Sequence, residues 1–382
     1  MELPTYFKDF LQDIRPTKNQ NSDAKTGHET LRKRLLADKA LSPIIVSTFL
    51  QGSYRRATAI RPKGENRSDV DVIVVTTISE DQYTPQQAMN LFVPFLNEHY
   101  KDKYEFRGRS IRITLSYVEL DMVITSAPSE ADVRMLKSAS VTSIETPEDV
   151  DDWRLVSSWV PLAERSMPGA TARLENARKE AEWKLSPLRI PDREAKVWDD
   201  THPLEQIKWT WTKNRATNKH YINVVKALKW WRRVNYTTPK YPKGYPLEHI
   251  IGDNCVDGIG SVAAGVTNAL ENIVANYRDY AARKETPFLS DRGVPAHNVM
   301  RRITGEEFAE FYGQAEEGAK IARRALDATT VRESALEWRK LFGDKFPAPP
   351  DDDDDEGNGS STKSSGYTIR ERSSTIGGGR YA

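Results

Sequence analysis

The sequence predicts an α+β chain in two lobes, a mixed β-sheet lobe packed on a mostly helical one. Three observations carry this. Through residues 1–145, β-branched strand-like runs alternate with helical patterns. From about residue 145 the texture turns helical and rich in Trp and Arg. Residues 347–382 then lose their apolar content. A length of 382 residues fits two or three domains at roughly 100–200 residues each. The expected division is 1–145 for the sheet lobe with its N-terminal helices, 146–346 for the helical lobe and 347–382 for a disordered tail.

The elements follow in chain order. Tyr6, Phe7, Phe10, Leu11 and Ile14 give residues 1–20 a short amphipathic pattern. Residues 22–40 read as a helix, with Ser22 and Asp23 as candidate caps and Pro43 helping to end it. Ile44–Leu50 is a strand leading into Gln51-Gly52-Ser53-Tyr54-Arg55-Arg56. A polar loop at 61–68 precedes Asp69-Val70-Asp71-Val72-Ile73-Val74-Val75, apolar apart from two carboxylates, as a strand covered on both faces should be. Residues 84–99 read as a helix. Residues 110–116 alternate, with Arg112 and Thr114 on the polar side, and 118–125 form another strand. Further helices are expected at 205–212, 220–234, 247–251, 259–284 and 305–326.

Composition removes several function classes. Lys and Arg number 56 against 55 Asp and Glu, a net charge of +1, so no global positive field drives nucleic-acid coating, though a local basic cleft stays open. Cys255 is the single cysteine, which excludes an internal disulfide framework and multi-cysteine zinc sites. It reads as a buried small hydrophobe, and the Trp209/Trp211 and Trp230/Trp231 pairs as packing residues. No run of about 18 apolar residues is present, and the N-terminus lacks a basic and apolar leader, so a cytoplasmic protein without a membrane span is expected.

The chemistry concentrates in Gly52-Ser53, Asp69, Asp71 and Asp121. Side chains alternate along a strand, so Asp69 and Asp71 share a face. Asp121 lies in a second apolar strand. If the strands are neighbours, three carboxylates converge. Carboxylates repel one another and are costly in apolar runs, and a divalent cation relieves both problems. Hard oxygen ligands on a rigid strand suit Mg²⁺, two ions of which would activate a hydroxyl and stabilise a leaving pyrophosphate. Gly52 lets backbone approach a phosphate, and Ser53 offers a hydroxyl and an N–H at an expected helix start. A single Asp-x-Asp or Gly-Ser is common; their combination with a later strand carboxylate is not.

Gln51-Gly52-Ser53-Tyr54-Arg55-Arg56-Ala57-Thr58-Ala59-Ile60, with Asp69-Val70-Asp71 and Asp121, resembles the polymerase-β-type nucleotidyltransferases, and among them the bacterial cGAS/DncV-like enzymes (CD-NTases) of anti-phage signalling. The resemblance covers roughly residues 1–345. It implies a bilobal polymerase-β-like fold with nucleotides between the lobes, two Mg²⁺ ions, ATP and a second NTP as substrates, and an adenine-containing cyclic tri- or dinucleotide as product. Asp69, Asp71 and Asp121 would hold metal, and Gln51, Gly52 and Ser53 the nucleotide. Ala227-Leu228-Lys229-Trp230-Trp231 is similar to the helix whose lysine contacts the donor triphosphate, which assigns Lys229. Pro242–Glu248 is similar to the next motif, which assigns Tyr245 to base stacking, while Gly244 stands where that motif usually has a serine. The lone Cys255 cannot form the zinc module of the animal DNA sensor.

The competing enzymatic expectation is a linear oligoadenylate synthase or another nucleotidyltransferase acting on RNA; a binding protein with a retired site is the non-enzymatic one. The resemblance also implies a downstream effector reached through the nucleotide product. It further suggests a ubiquitin-activating and -conjugating-type fusion enzyme that acts on the C-terminus at Ala382, where an acidic spacer leads into Gly377-Gly378-Gly379-Arg380-Tyr381-Ala382.

Overall fold

The computed structural model describes residues 1–64, 66–127 and 187–349. Two helices come first, α1 (Pro4–Ile14) and α2 (Lys18–Ala37). The second starts earlier than Ser22 and Asp23 suggest, because Thr17 is its cap. The Thr17 hydroxyl accepts from the Gln20 N–H while the Gln20 side chain accepts from the Thr17 N–H, satisfying two orphan donors at once.

A five-stranded mixed sheet follows in the order β1-β2-β5-β4-β3, with β1 (Ile45–Gln51), β2 (Ser68–Thr76), β3 (Tyr104–Phe106), β4 (Ile111–Thr114) and β5 (Val118–Ile124). β2 and β5 run parallel and the other pairs antiparallel. The one-turn helix α3 (Gly52–Arg55) leaves β1 directly. The helical pattern over 84–99 resolves into α4 (Pro85–Asn90) and α5 (Val93–Tyr100), since Pro94 lacks the N–H to continue one ladder.

Alternation in β2 sorts the core. Val70, Val72 and Val74 point to one face and pack with Leu31 and Leu35 of α2 and with Phe92, Phe95 and Leu96. Ile73 and Val75 point to the other, with Phe49, Val123, Leu188 and Leu204. Asp69 and Asp71 share this second face, just beyond where its apolar packing ends. A small hairpin missed by the sequence, β6 (Leu188–Asp192) with β7 (Val197–Thr201), flanks it.

The helical lobe contains α6 (Pro203–Ala216), α7 (Tyr221–Asn235), α8 (Tyr245–Asn254), α9 (Val262–Arg283), α10 (Gly305–Asp327) and α11 (Val331–Phe342), the last without a sequence expectation. Its core also takes in α1: Phe7 meets Trp338 edge-on at 5.0 Å and Phe10 stacks on Phe342 at 4.5 Å. Among the described residues, the first helix thus closes against the last α-helix. Trp231 is buried in this core, and Trp209, Trp211 and Trp230 pack around it. Cys255 is buried, its thiol pushed up to about 11 by burial, as expected of a small hydrophobe. Among the described residues no helix is long and apolar enough to cross a membrane.

His28 of α2 is fully buried beside the Tyr54 ring, and neither ring nitrogen has a hydrogen-bond partner. Burial, aided by Arg32 and Lys25, holds its pKa down at about 3 against 6.5 for a free imidazole. The folded state therefore keeps His28 neutral where the unfolded chain takes up a proton. Below pH 6.5 this site should cost stability at about 1.4 kcal/mol per pH unit. The carboxyls of Asp69 and Asp71, raised by the fold, act in the opposite direction over this range, so the check is a difference: between pH 6.5 and 5 the urea midpoint of His28→Gln should gain on that of wild type.

Candidate active site

Strand register assembles the site. Asp71 on β2 pairs with Asp121 on β5 and Gln51 on β1, and Asp121 pairs in turn with Arg112 on β4. Directly paired residues share a sheet face, so Gln51, Asp71, Asp121 and Arg112 form one row across four strands. Asp69 pairs with Glu119 in the adjacent row. The three carboxylates singled out by sequence therefore stand together, on the face turned away from α2.

Adjacent strands lie about 4.8 Å apart. A like-charge pair across that spacing costs on the order of 3 kcal/mol at an effective dielectric near 20. The carboxyl groups register this. Desolvation in the cleft, then repulsion from Asp71 and Asp121, raises the Asp69 pKa. Desolvation and Asp121 raise that of Asp71, against the opposing pull of Arg56 and Arg112. The positive charge on hand is less than the cluster demands, and its all-oxygen donor set fits a hard divalent cation. Even so, among the described residues no three His, Cys, Asp or Glu side chains stand in a ready metal-binding arrangement. Asp121 is paired with an arginine: its Oδ1 accepts from Arg112 Nε at 3.0 Å and its Oδ2 from Arg112 Nη2 at 2.5 Å.

Gly52 is required here for two reasons. Its φ is +73°, and a Cβ at this position would stand 1.7 Å from Asp71 Oδ2. Sequence reasoning reserved this close approach for a phosphate; in the fold it admits the Asp71 carboxylate. The helix start expected at Ser53 is a single turn, too short for an additive macrodipole. What Ser53 offers is its own hydroxyl and N–H, in a cavity of about 330 Å³ that it lines with Asp69, Lys63, Lys229 and Arg233.

Lys229 on α7 reaches the cavity from the helical lobe. Its ammonium donates to the Thr58 carbonyl at 3.0 Å and to Glu248 Oε1 at 2.9 Å. Three N–H donors on the ammonium leave capacity for one more acceptor. Glu248 on α8 also accepts from Arg56 Nε at 3.2 Å. Burial would raise the Glu248 carboxyl, but Lys229 and Arg56 hold it below its ordinary range. This buried Arg56–Glu248–Lys229 network ties the Gly-Ser turn to both helices. The Arg56 guanidinium also sits over the Tyr245 ring at 5.1 Å. Tyr245 lines a second cavity, of about 400 Å³, with Lys243, Asp291, Arg301 and Arg109. Gly244 has a φ of +58° and supplies no capping side chain to α8, so the expected departure at the motif's serine position stands. Ala382 lies outside the described residues.

Sequence reasoning missed Arg112, Glu119 and Glu248. The signal for Glu248 was a lone acid inside Leu247–Ile251, an apolar helical run. Arg112 had none beyond its polar place in an alternating strand, since register is invisible there.

Relatives align with most of this chain. A family model described as the Second Messenger Oligonucleotide or Dinucleotide Synthetase domain matches residues 1–126. A cyclic AMP-AMP-GMP synthase of Enterobacter hormaechei subsp. hoffmannii is 48% identical over 355 residues, covering 91% of this chain and 93% of that one. A cyclic AMP-AMP-AMP synthase of an Acinetobacter species is 29% identical over 353 residues, covering 91% and 86%. The solved structure of the Bradyrhizobium diazoefficiens CD-NTase CdnG in complex with GTP shares the fold, with a TM-score of 0.62 at 12% identity over 89% of this chain and 95% of that one.

Two variants probe the geometry. Asp69→Asn with Asp71→Asn should raise the metal-free melting temperature, because repulsion and desolvation are relieved, while nucleotide incorporation falls by more than about 100-fold. Gly52→Ala should displace Asp71 and lower turnover by about 100-fold, the scale of an ångström-sized misplacement; unchanged turnover would show that Asp71 needs no such approach.

Proposed function

The chain belongs to the bacterial cGAS/DncV-like nucleotidyltransferases, and from that premise we propose how its residues divide the reaction. It is a nucleotidyltransferase that joins nucleoside triphosphates, ATP among them, into a cyclic oligonucleotide. Our reading of the product is a cyclic trinucleotide of two adenines and one guanine. Both relatives close rings of three, and the more similar one includes GMP.

The observation that carries the site assignment is the register of Asp71 with Asp121, beside the cavity shared by Ser53 and Lys229. Asp69 and Asp71 would hold two Mg²⁺ ions, with Asp121 joining them on the acceptor side. When bound, the ions supply Lewis-acid polarisation of the α-phosphate, a more acidic acceptor hydroxyl and neutralisation of the leaving charge. Ser53 binds the donor triphosphate through its hydroxyl, and Lys229 through its remaining N–H. Glu248 keeps that ammonium aimed by occupying one of its other donors. Tyr245 stacks on a base in the second cavity. The acceptor ribose oxygen bonds to the α-phosphorus, and the bond to the β-phosphate oxygen breaks. Pyrophosphate leaves with the electron pair, and the hydroxyl proton passes to Asp121 or to water. Repetition extends the chain, and attack by its own free hydroxyl closes the ring.

Full-chain enzyme with ATP, GTP and Mg²⁺ should give a phosphatase-resistant product whose mass corresponds to two AMP and one GMP residues. Products that lose terminal phosphates would identify a linear synthase. Lys229→Met should raise the KM for ATP by about tenfold, the scale for losing a charge-assisted contact. A lower melting temperature with unchanged KM would leave Lys229 a purely structural link between lobes.

A further inference from the structure

Arg112 is bound to the carboxylate that the proposed reaction needs. Its guanidinium is shared between two acids of β5. Nε and Nη2 engage both oxygens of Asp121, and Nη1 donates to Glu119 Oε2 at 3.0 Å. Nη2 also stands 3.6 Å from Asp69 Oδ1. The Arg112 side chain is 24% exposed and that of Asp121 is 12% exposed, so the pair forms at the mouth of the cleft and not in sealed core. The register fixes this meeting, because Arg112 and Asp121 are direct partners on one face of an antiparallel pair.

A fork-shaped guanidinium suits a carboxylate well and satisfies it without any metal. It also occupies one lone-pair site on each oxygen, two of about four, and its positive charge opposes a second cation there. Glu119 and Asp121 share a face of β5, so Glu119, which already accepts one N–H, offers the guanidinium a landing place one step along the strand. We propose that Arg112 is a displaceable counter-cation: it neutralises Asp121 in the metal-free enzyme and gives up that carboxylate, moving onto Glu119, when a divalent cation loads. The inference rests on reading Asp69, Asp71 and Asp121 as the divalent-cation site. Arg112 is thereby a positioning residue. It keeps the acid cluster folded without metal and sets the concentration at which metal enters.

The experiment measures Mn²⁺ binding to the full chain without nucleotide, by the electron paramagnetic resonance signal of free Mn²⁺, together with melting temperature. Arg112→Met should bind Mn²⁺ about tenfold more tightly, the lower end of the scale for a lost charge-assisted pair, while melting lower without metal. Arg112→Lys keeps the charge but not the fork, so it should fold like wild type and bind with intermediate affinity. In an Asp121→Asn background the Arg112 substitutions should leave Mn²⁺ affinity unchanged. Equal or weaker binding by folded Arg112→Lys and Arg112→Met, or a tightening that persists without Asp121, overturns the proposal. Loss of Mn²⁺ binding in Asp69→Asn/Asp71→Asn identifies the site independently. If wild type and that double variant bind alike, the metal assignment itself fails, and the role of Arg112 with it.

Discussion

Like charges brought together on one face of a sheet dominate this molecule. Asp69, Asp71 and Asp121 lie on two hydrogen-bonded strands whose other face is packed with valine, leucine and phenylalanine. The strands cannot separate to relieve the repulsion without breaking that packing. Neutralisation has to come from outside the trio, and the surroundings are arranged accordingly. Arg112 closes the row at one end, and Arg56 acts on Asp71 from the other side. Gly52 brings the turn after β1 against Asp71 because it carries no Cβ. A sheet that concentrates negative charge and then half-neutralises it has a standing demand for a cation.

The second constraint is the attachment of the lobes. Arg56 follows the Gly-Ser turn, Glu248 lies on α8 and Lys229 on α7, and all three meet in a buried network. Removing Glu248 leaves two cations without their shared carboxylate, which is far more costly than the intact set is stabilising. The orientation of the helical lobe against the turn is therefore specified by charge as well as by the apolar contacts of α1. Two cavities lie near this network. Lys229 faces the one beside Ser53 and Asp69, and Tyr245, under Arg56, faces the other.

Much of the site was legible in the chain because its signals are local. An acid every second residue in an apolar strand projects to one face whatever the topology, so Asp69 and Asp71 could be paired on sight. A Gly-Ser pair leaving a strand marked the turn. Element ends were less legible. The start of α2 depends on a reciprocal bond between Thr17 and Gln20, and the break between α4 and α5 on one proline. Three-residue and five-residue strands such as β3, β6 and β7 carry too few side chains to establish a period. The amphipathicity of α1 said that it packs, but not that its partners would be Trp338 and Phe342 at the far end of the chain.

By itself, then, the sequence determined which residue types could do the chemistry and which face of each strand or helix they occupy, because backbone periodicity converts spacing into direction. Only the tertiary structure decided who stands next to whom. That Asp121 is level with Asp71, that Arg112 takes up its oxygens, and that Glu248 draws Arg56 and Lys229 together all depend on strand register and helix docking. Those are set by summed packing over residues far apart in the chain, and no local stretch of it contains that sum.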